Sequence, residues 1–233
     1  MAFKSLVLDI DGVLVRDRAL LNQVRRNCER YVAKKLPECK NPVLTNKLLY
    51  ATAGHTARGL QNSFGIDTSD FNKEVYDVPL RSRLWELLSS TEFQREVEDI
   101  HELMQNGWRV TLFTNSPIEW AGEVAHAISD QVYVVCPSSD VVTSPLKPEA
   151  TAYTNFAKHH THIFVDDSLT NLTTARWLPN WHPVLFDPNK HRARDLPDWC
   201  PVIGSIWELC LFVNSVDQWI VDNHEASRPG GCS

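Results

Sequence analysis

Three apolar runs of this chain each stop at a short polar segment, two of them at paired aspartates, and that repetition constrains the fold more than any other feature. Leu6-Val7-Leu8 runs into Asp9-Ile10-Asp11-Gly12, Trp108 to Phe113 leads into Thr114-Asn115-Ser116, and Thr161 to Val165 leads into Asp166-Asp167-Ser168. Between the last two, Leu146-Lys147-Pro148-Glu149 places a single lysine directly before a helix start. In a sheet of parallel strands these four segments meet at the carboxyl edge, where open α/β sheets bind their ligands. With Leu6 to Ile10 extended, Asp9 and Asp11 point the same way. Carboxylates that close are costly to hold ionised unless a cation sits between them or one keeps a proton and serves as an acid. The plain structural alternative is a strand entering an Asp-Gly turn. Recurrence of the pattern at the other strand ends favours chemistry.

Lys4 to Ile10 reads as the first strand, and the next convincing one comes only at Trp108 to Phe113. The interval is helical in period: Leu20, Leu21, Val24, Cys28, Tyr31 and Val32 keep helical spacing, as do Leu44, Leu48 and Leu49, and then Phe93, Val97, Ile100, Leu103 and Met104. Asn106-Gly107 closes the last of these helices. Strands and helices alternate from there. Ser116-Pro117-Ile118-Glu119 combines a capping serine, a first-turn proline and a glutamate three residues after the cap, so a helix is expected right after Asn115, its N–H groups forming an anion seat. Gln131 to Val135 reads as the third strand, Pro148 to Lys158 as a helix, His162 to Val165 as the fourth strand, Leu169 to Trp177 as a helix and His182 to Phe186 as the fifth strand. The class is therefore α/β. A Rossmann-like parallel-sheet core is expected from residues 1–16 and 106–233, with a helical cap, residues 17–105, inserted between the first and second core strands. Ile206, Leu209, Leu211, Phe212, Val216, Trp219 and Ile220 suggest a further helix packing on that core, and Arg228-Pro229-Gly230-Gly231 reads as a frayed end.

At 233 residues and 43% hydrophobic content the chain can bury one large domain, or a core with a smaller insertion. A net charge of −6 without a basic cluster argues against a nucleic-acid partner. Arg16, Arg18, Arg25, Arg26 and Arg30 alternate with apolar residues and read as a solvated helix face. The six cysteines show no CxxC and no metal spacing, which fits reduced residues of an intracellular protein. A functional strand so near the first residue leaves no place for a signal peptide, and no apolar stretch reaches the roughly 20 residues that span a bilayer. A soluble, cytoplasmic protein without a membrane partner is expected. The nine histidines, His159-His160 included, show no catalytic spacing.

Taken in order, Asp9-Ile10-Asp11-Gly12, Phe113-Thr114-Asn115, Lys147-Pro148 and Val165-Asp166-Asp167 resemble the four motifs of the haloacid dehalogenase (HAD) superfamily, over about residues 4 to 190. The segment Tyr50-Ala51-Thr52-Ala53-Gly54-His55-Thr56-Ala57-Arg58-Gly59-Leu60, followed by Gly65-Ile66-Asp67 and Asp70-Phe71, is similar to the cap of pyrimidine 5′-nucleotidase-type members. His55 beside the glycine and Gly12-Val13 after the first motif depart from that subgroup.

The resemblance implies a Mg²⁺-dependent phosphomonoester hydrolase working through an aspartyl-phosphate. Asp9 would be the nucleophile and Asp11 the acid that protonates the leaving oxygen and then deprotonates water. Asp9, the backbone carbonyl of Asp11 and Asp167 would hold Mg²⁺, with Asp166 orienting a bound water. Thr114 would donate its hydroxyl and Asn115 its backbone N–H to the phosphate, while Lys147 balances the charge. Thr56 and Arg58 are the cap residues expected to touch the leaving group. Asp11 also separates this chain from the dehalogenases of the superfamily, which lack an acid there. The expected partner is a small phosphorylated metabolite, a nucleoside 5′-monophosphate first of all. A sugar phosphate or other small phosphoester is the alternative substrate, and a regulatory protein that keeps the fold without catalysis is the alternative of another class. Monomer and homodimer are both left open.

Overall fold

A computed structural model describes residues 4–138, 140–190 and 196–215. One sheet is built from β1 (Lys4–Leu8), β2 (Trp108–Phe113), β3 (Tyr133–Val135), β4 (Thr161–Asp166), β5 (Trp181–Phe186) and β6 (Val202–Ile203), in the spatial order β3-β2-β1-β4-β5-β6. Every pairing is parallel. The chain steps outward from β1 to β2 and β3, then returns to the other side of β1 with β4. The carboxyl end of β1 is thus the switch point, flanked by strand ends on both sides. The strands are apolar on both faces, as a sheet covered by helices on both sides requires. Leu6 and Leu8 join one buried cluster with Leu112, Val165 and Val184, whereas Val7 joins the opposite one with Phe113, Phe164 and Leu185.

Six helices fill the interval between β1 and β2: α1 (Arg18–Lys35), α2 (Pro42–Ala53), α3 (Thr56–Phe64), α4 (Phe71–Val75), α5 (Val78–Leu88) and α6 (Thr91–Gln105). Their starts follow local chemistry. Asp17, Asn41, His55, Asp77 and Ser90 each accept a first-turn backbone N–H through the side chain. Their packing divides the insertion. Leu80, Leu84 and Leu88 of α5 and Phe93, Val97 and Ile100 of α6 belong to the sheet's own cluster. The helices α1 to α4 form a third cluster around Tyr31, Leu49, Leu60 and Phe71, with Val141 and Leu146 from the segment before Lys147. Gly59 lets α2 and α3 cross, because a Cβ there would stand 2.8 Å from Leu49 Cβ.

Several expected boundaries move. β1 stops at Leu8 and not at Ile10, since the Ile10 carbonyl accepts the N–H groups of Val13, Leu14 and Val15 and turns the chain there. Between Pro148 and Lys158 the backbone forms only a 3₁₀ turn, Ala150–Asn155. The third strand is limited to Tyr133–Val135. The capping box expected at Ser116 does not form: α7 (Ile118–Ile128) has Pro117 at its cap position with no side-chain cap bond, the Ser116 hydroxyl being used elsewhere. α8 spans Leu169–Arg176. Residues 206–215 are helical and pack Ile206, Leu209 and Val213 into the main cluster. Val216, Trp219, Ile220 and the Arg228 to Gly231 end lie outside the described residues. Among the described residues no helix is long and apolar enough to cross a membrane, and Cys28, Cys39, Cys136, Cys200 and Cys210 are free thiols.

Candidate active site

Strand register assembles the site. Leu8 pairs with Leu112 of β2 and Val165 of β4, so the next residue of each strand brings Asp9 beside Phe113 on one side and Asp166 on the other. Asp9 N–H continues the ladder onto the Val165 carbonyl at 2.9 Å. Lys147 enters from the loop before the 3₁₀ turn and closes the space between the strands. Its ammonium lies 2.8 Å from Asp9 Oδ1, 2.8 Å from Asp166 Oδ2 and 2.7 Å from the Phe113 carbonyl, which uses all three donors. Only 3% of Lys147 is exposed. Burial opposes its charge, yet the Asp166 and Asp9 carboxylates outweigh burial and hold the lysine protonated.

Asn115 fixes that loop with its side chain, donating to the Lys147 carbonyl and accepting from the Lys147 N–H, each at 2.9 Å. Asp166 is wholly buried, and Lys147, the Ser168 N–H and the Asn171 amide satisfy its two oxygens. This suits a residue that orients its neighbours. Asp167 approaches from the far side, against Gly12. Gly12 sits at φ +97°, and a Cβ built there would stand 2.2 Å from Asp167 Oδ2, so a glycine is required for both conformation and space.

Asp9, Asp166 and Asp167 each offer a carboxylate oxygen within 4.8 Å of the others. Burial, and then the charges of Asp166 and Asp167, push the Asp9 carboxyl well up despite Lys147. Lys147 pairs with Asp9 and Asp166, and Asp167 brings a third carboxylate to the cluster. The donors are all oxygen, as a hard cation such as Mg²⁺ requires. The residues present therefore fit the metal that the sequence motifs imply, and Asp9, Asp166 and Asp167 are the carboxylates that come together there.

Asp11 keeps different company. Ser116 Oγ donates to its Oδ2, and Trp120 Nε1 donates to its Oδ1 at 3.1 Å. Burial raises its pKa, partly offset by those two hydrogen bonds. The two acids that a straight strand would point alike are separated by the turn at Ile10, one facing the lysine and the other facing α7. Thr114, 3% exposed, follows β2 directly and accepts the Ser116 N–H at 3.0 Å.

The two cap residues expected at the leaving group are turned to other partners. Thr56 donates to Asn46 Oδ1 at 2.7 Å, and Arg58 pairs with Glu149 and donates to the carbonyls of Val141 and Ser144. Arg58 thereby ties α3 to the loop that carries Lys147. Tyr50, not singled out in the sequence, is 58% exposed on α2; desolvation of its hydroxyl, followed by the charge of Asp9, pushes the phenol up. Ser116 and Trp120 were also missed as partners of Asp11. Their sequence signals, a cap serine and an apolar helix position, point to local roles.

No family model matches the sequence, and no curated protein matches it. Solved structures do share the fold. A HAD phosphatase from Thermococcus onnurineus aligns over 91% of this chain and 98% of its own at 17% identity and a TM-score of 0.50. A phosphoserine phosphohydrolase-like protein from Francisella tularensis aligns over 91% and 100% at 14% identity and a TM-score of 0.53. A 2-haloacid dehalogenase from Pseudomonas syringae aligns over 93% and 99% at 14% identity and a TM-score of 0.51. The fold is HAD-like. Since such folds carry both phosphatase and dehalogenase descriptions, the reaction has to be argued from side chains.

Proposed function

We propose that this protein is a Mg²⁺-dependent phosphomonoester hydrolase acting on nucleoside 5′-monophosphates through an aspartyl-phosphate at Asp9. The observation that carries the reading is the separation of two acids two residues apart: Asp9 in contact with a buried lysine and within 4.8 Å of two further carboxylates, and Asp11 held off by Ser116 and Trp120. That arrangement supplies a nucleophile and a distinct proton carrier. A dehalogenase has no use for the second.

When bound, a divalent cation supplies charge neutralisation between phosphate and carboxylate, the main obstacle to attack by an anion. A carboxylate oxygen of Asp9 attacks phosphorus, the bond from phosphorus to the ester oxygen breaks, and Asp11 gives that oxygen its proton. In the second half, water attacks the aspartyl-phosphate, its proton passes to Asp11, and inorganic phosphate leaves Asp9 free. Lys147 keeps its charge and holds Asp9 in line throughout. Thr114 and the Asn115 N–H bind phosphate oxygens. Within residues 17–105, helices α1 to α4 act as the cap, while α5 and α6 pack with the sheet. Tyr50 is a candidate cap side chain for the leaving group, because its hydroxyl lies in the field of Asp9, Lys147, Asp166 and Asp11.

Phosphate release measured over a monophosphate panel, with Mg²⁺ and with EDTA, tests the reading. Pyrimidine nucleoside 5′-monophosphates should be turned over fastest, and only with the metal. Equal or better turnover of sugar phosphates would remove the nucleotide assignment, and a protein inert to every monoester would remove the hydrolase.

A further inference from the structure

We propose that Tyr76, acting through Ser116 and together with Trp120, is a positioning residue that fixes the Asp11 carboxyl for transfer of the leaving-group proton. The inference deepens the hydrolase reading and rests on it. Tyr76 sits at the joint between α4 and α5, capping the first while the next residue, Asp77, caps the second. Its ring packs edge-on against Trp120, with centroids 5.3 Å apart, and its hydroxyl lies 3.3 Å from Ser116 Oγ. It touches both the sheet cluster and the cluster of α1 to α4.

Hydrogen accounting sets the direction of the contact. An indole N–H only donates, so Asp11 Oδ1 accepts from Trp120. Ser116 has one hydroxyl hydrogen, and it is directed at Asp11 Oδ2. With Asp11 ionised, the Tyr76 hydroxyl then donates to Ser116 Oγ, and when Asp11 carries its proton the same three oxygens stay linked with the direction reversed. Burial, followed by the charge of Asp11, pushes the Tyr76 phenol up, so it keeps the hydrogen this requires. Ser116 and Trp120 are 5% and 1% exposed, which shields the chain of donors from competing water. Neither Tyr76 nor Trp120 touches Asp9 or Lys147 in these contacts. Their effect should fall on proton delivery and spare attack on phosphorus.

Tyr76→Phe removes the donor and keeps the ring, and Ser116→Ala removes the link without adding bulk. kcat and KM are measured for the wild type and both variants on an alkyl phosphomonoester, whose leaving oxygen needs a proton, and on p-nitrophenyl phosphate, whose leaving group departs as a stable anion. Each variant should lose about tenfold or more in kcat/KM on the alkyl ester, a fraction of what general acid catalysis supplies. The loss in kcat/KM on the aryl ester should be markedly smaller, because that parameter ends at leaving-group expulsion and leaves out the later hydrolysis in which Asp11 is the base. The indole ¹⁵N–¹H resonance of Trp120 should shift in both variants as the carboxylate loosens. Equal losses on the two esters, or no loss, with an active wild type would overturn the relay alone. A wild type inert to both esters would overturn the hydrolase reading, and the proton-delivery role with it.

Discussion

The floor and the roof of the site are built by different rules. The floor consists of strand ends whose separation is set by backbone pairing, so Asp9 and Asp166 have to lie side by side once β1 and β4 are in register. Helices α1 to α4, which we propose as the roof, carry side chains that can turn to any of several neighbours. Thr56 and Arg58 turn inward to Asn46 and to Glu149 with the carbonyls beside it. Where the backbone lattice dictates position, residue type alone points to chemistry. Where helix packing dictates it, residue type does not.

Four experiments set floor against roof, in decreasing order of expected effect. Asp9→Asn should lower Mg²⁺-dependent turnover by about a thousandfold or more while the fold survives, because a lost nucleophile is not replaced by binding. Retained activity would break the account of the floor. Lys147→Met leaves the carboxylates of Asp9 and Asp166 buried without their cation, so unfolding by denaturant should show a loss of about 3–5 kcal/mol unless metal is added. Mg²⁺ should recover part of that loss.

Two tests concern the roof. His55 caps α3 with Nδ1, and burial lowers its pKa from 6.5 to about 4. The folded protein therefore resists a proton that the unfolded chain accepts. No stability is lost above pH 6.5, and it falls as the pH drops towards 4, by about 3 kcal/mol. His55→Asn, which can cap without charging, should flatten that part of the wild-type pH profile. Arg58→Ala should then cost about 1–3 kcal/mol in stability through the acceptors it abandons. A steep rise in KM without any change in melting temperature would instead return Arg58 to the substrate.

The floor was legible because its signals are both local and repeated. An apolar run followed by Asp, Thr or Asp-Asp marks a strand end, and parallel topology brings such ends together. Asp11-Gly12 signalled a turn, but not that it starts at Ile10, whose carbonyl accepts three N–H groups. The fate of Ser116 was not legible. The order Ser-Pro-Ile-Glu is a sound local signal for a helix cap, but the hydroxyl is committed to Asp11, 105 residues earlier in the chain. Trp120 reads as an apolar position of α7, and nothing in its spacing reveals that the indole nitrogen meets a carboxylate. Long-range polar partners decide these residues, and period and propensity do not encode them.

The most direct test follows the stereochemistry at phosphorus when a chiral thiophosphate monoester is hydrolysed in isotopically labelled water with Mg²⁺ present. Attack by Asp9 and then by water displaces twice, so the account predicts retention of configuration. Inversion would mean that water attacks the ester directly, and Asp9 could not be the nucleophile.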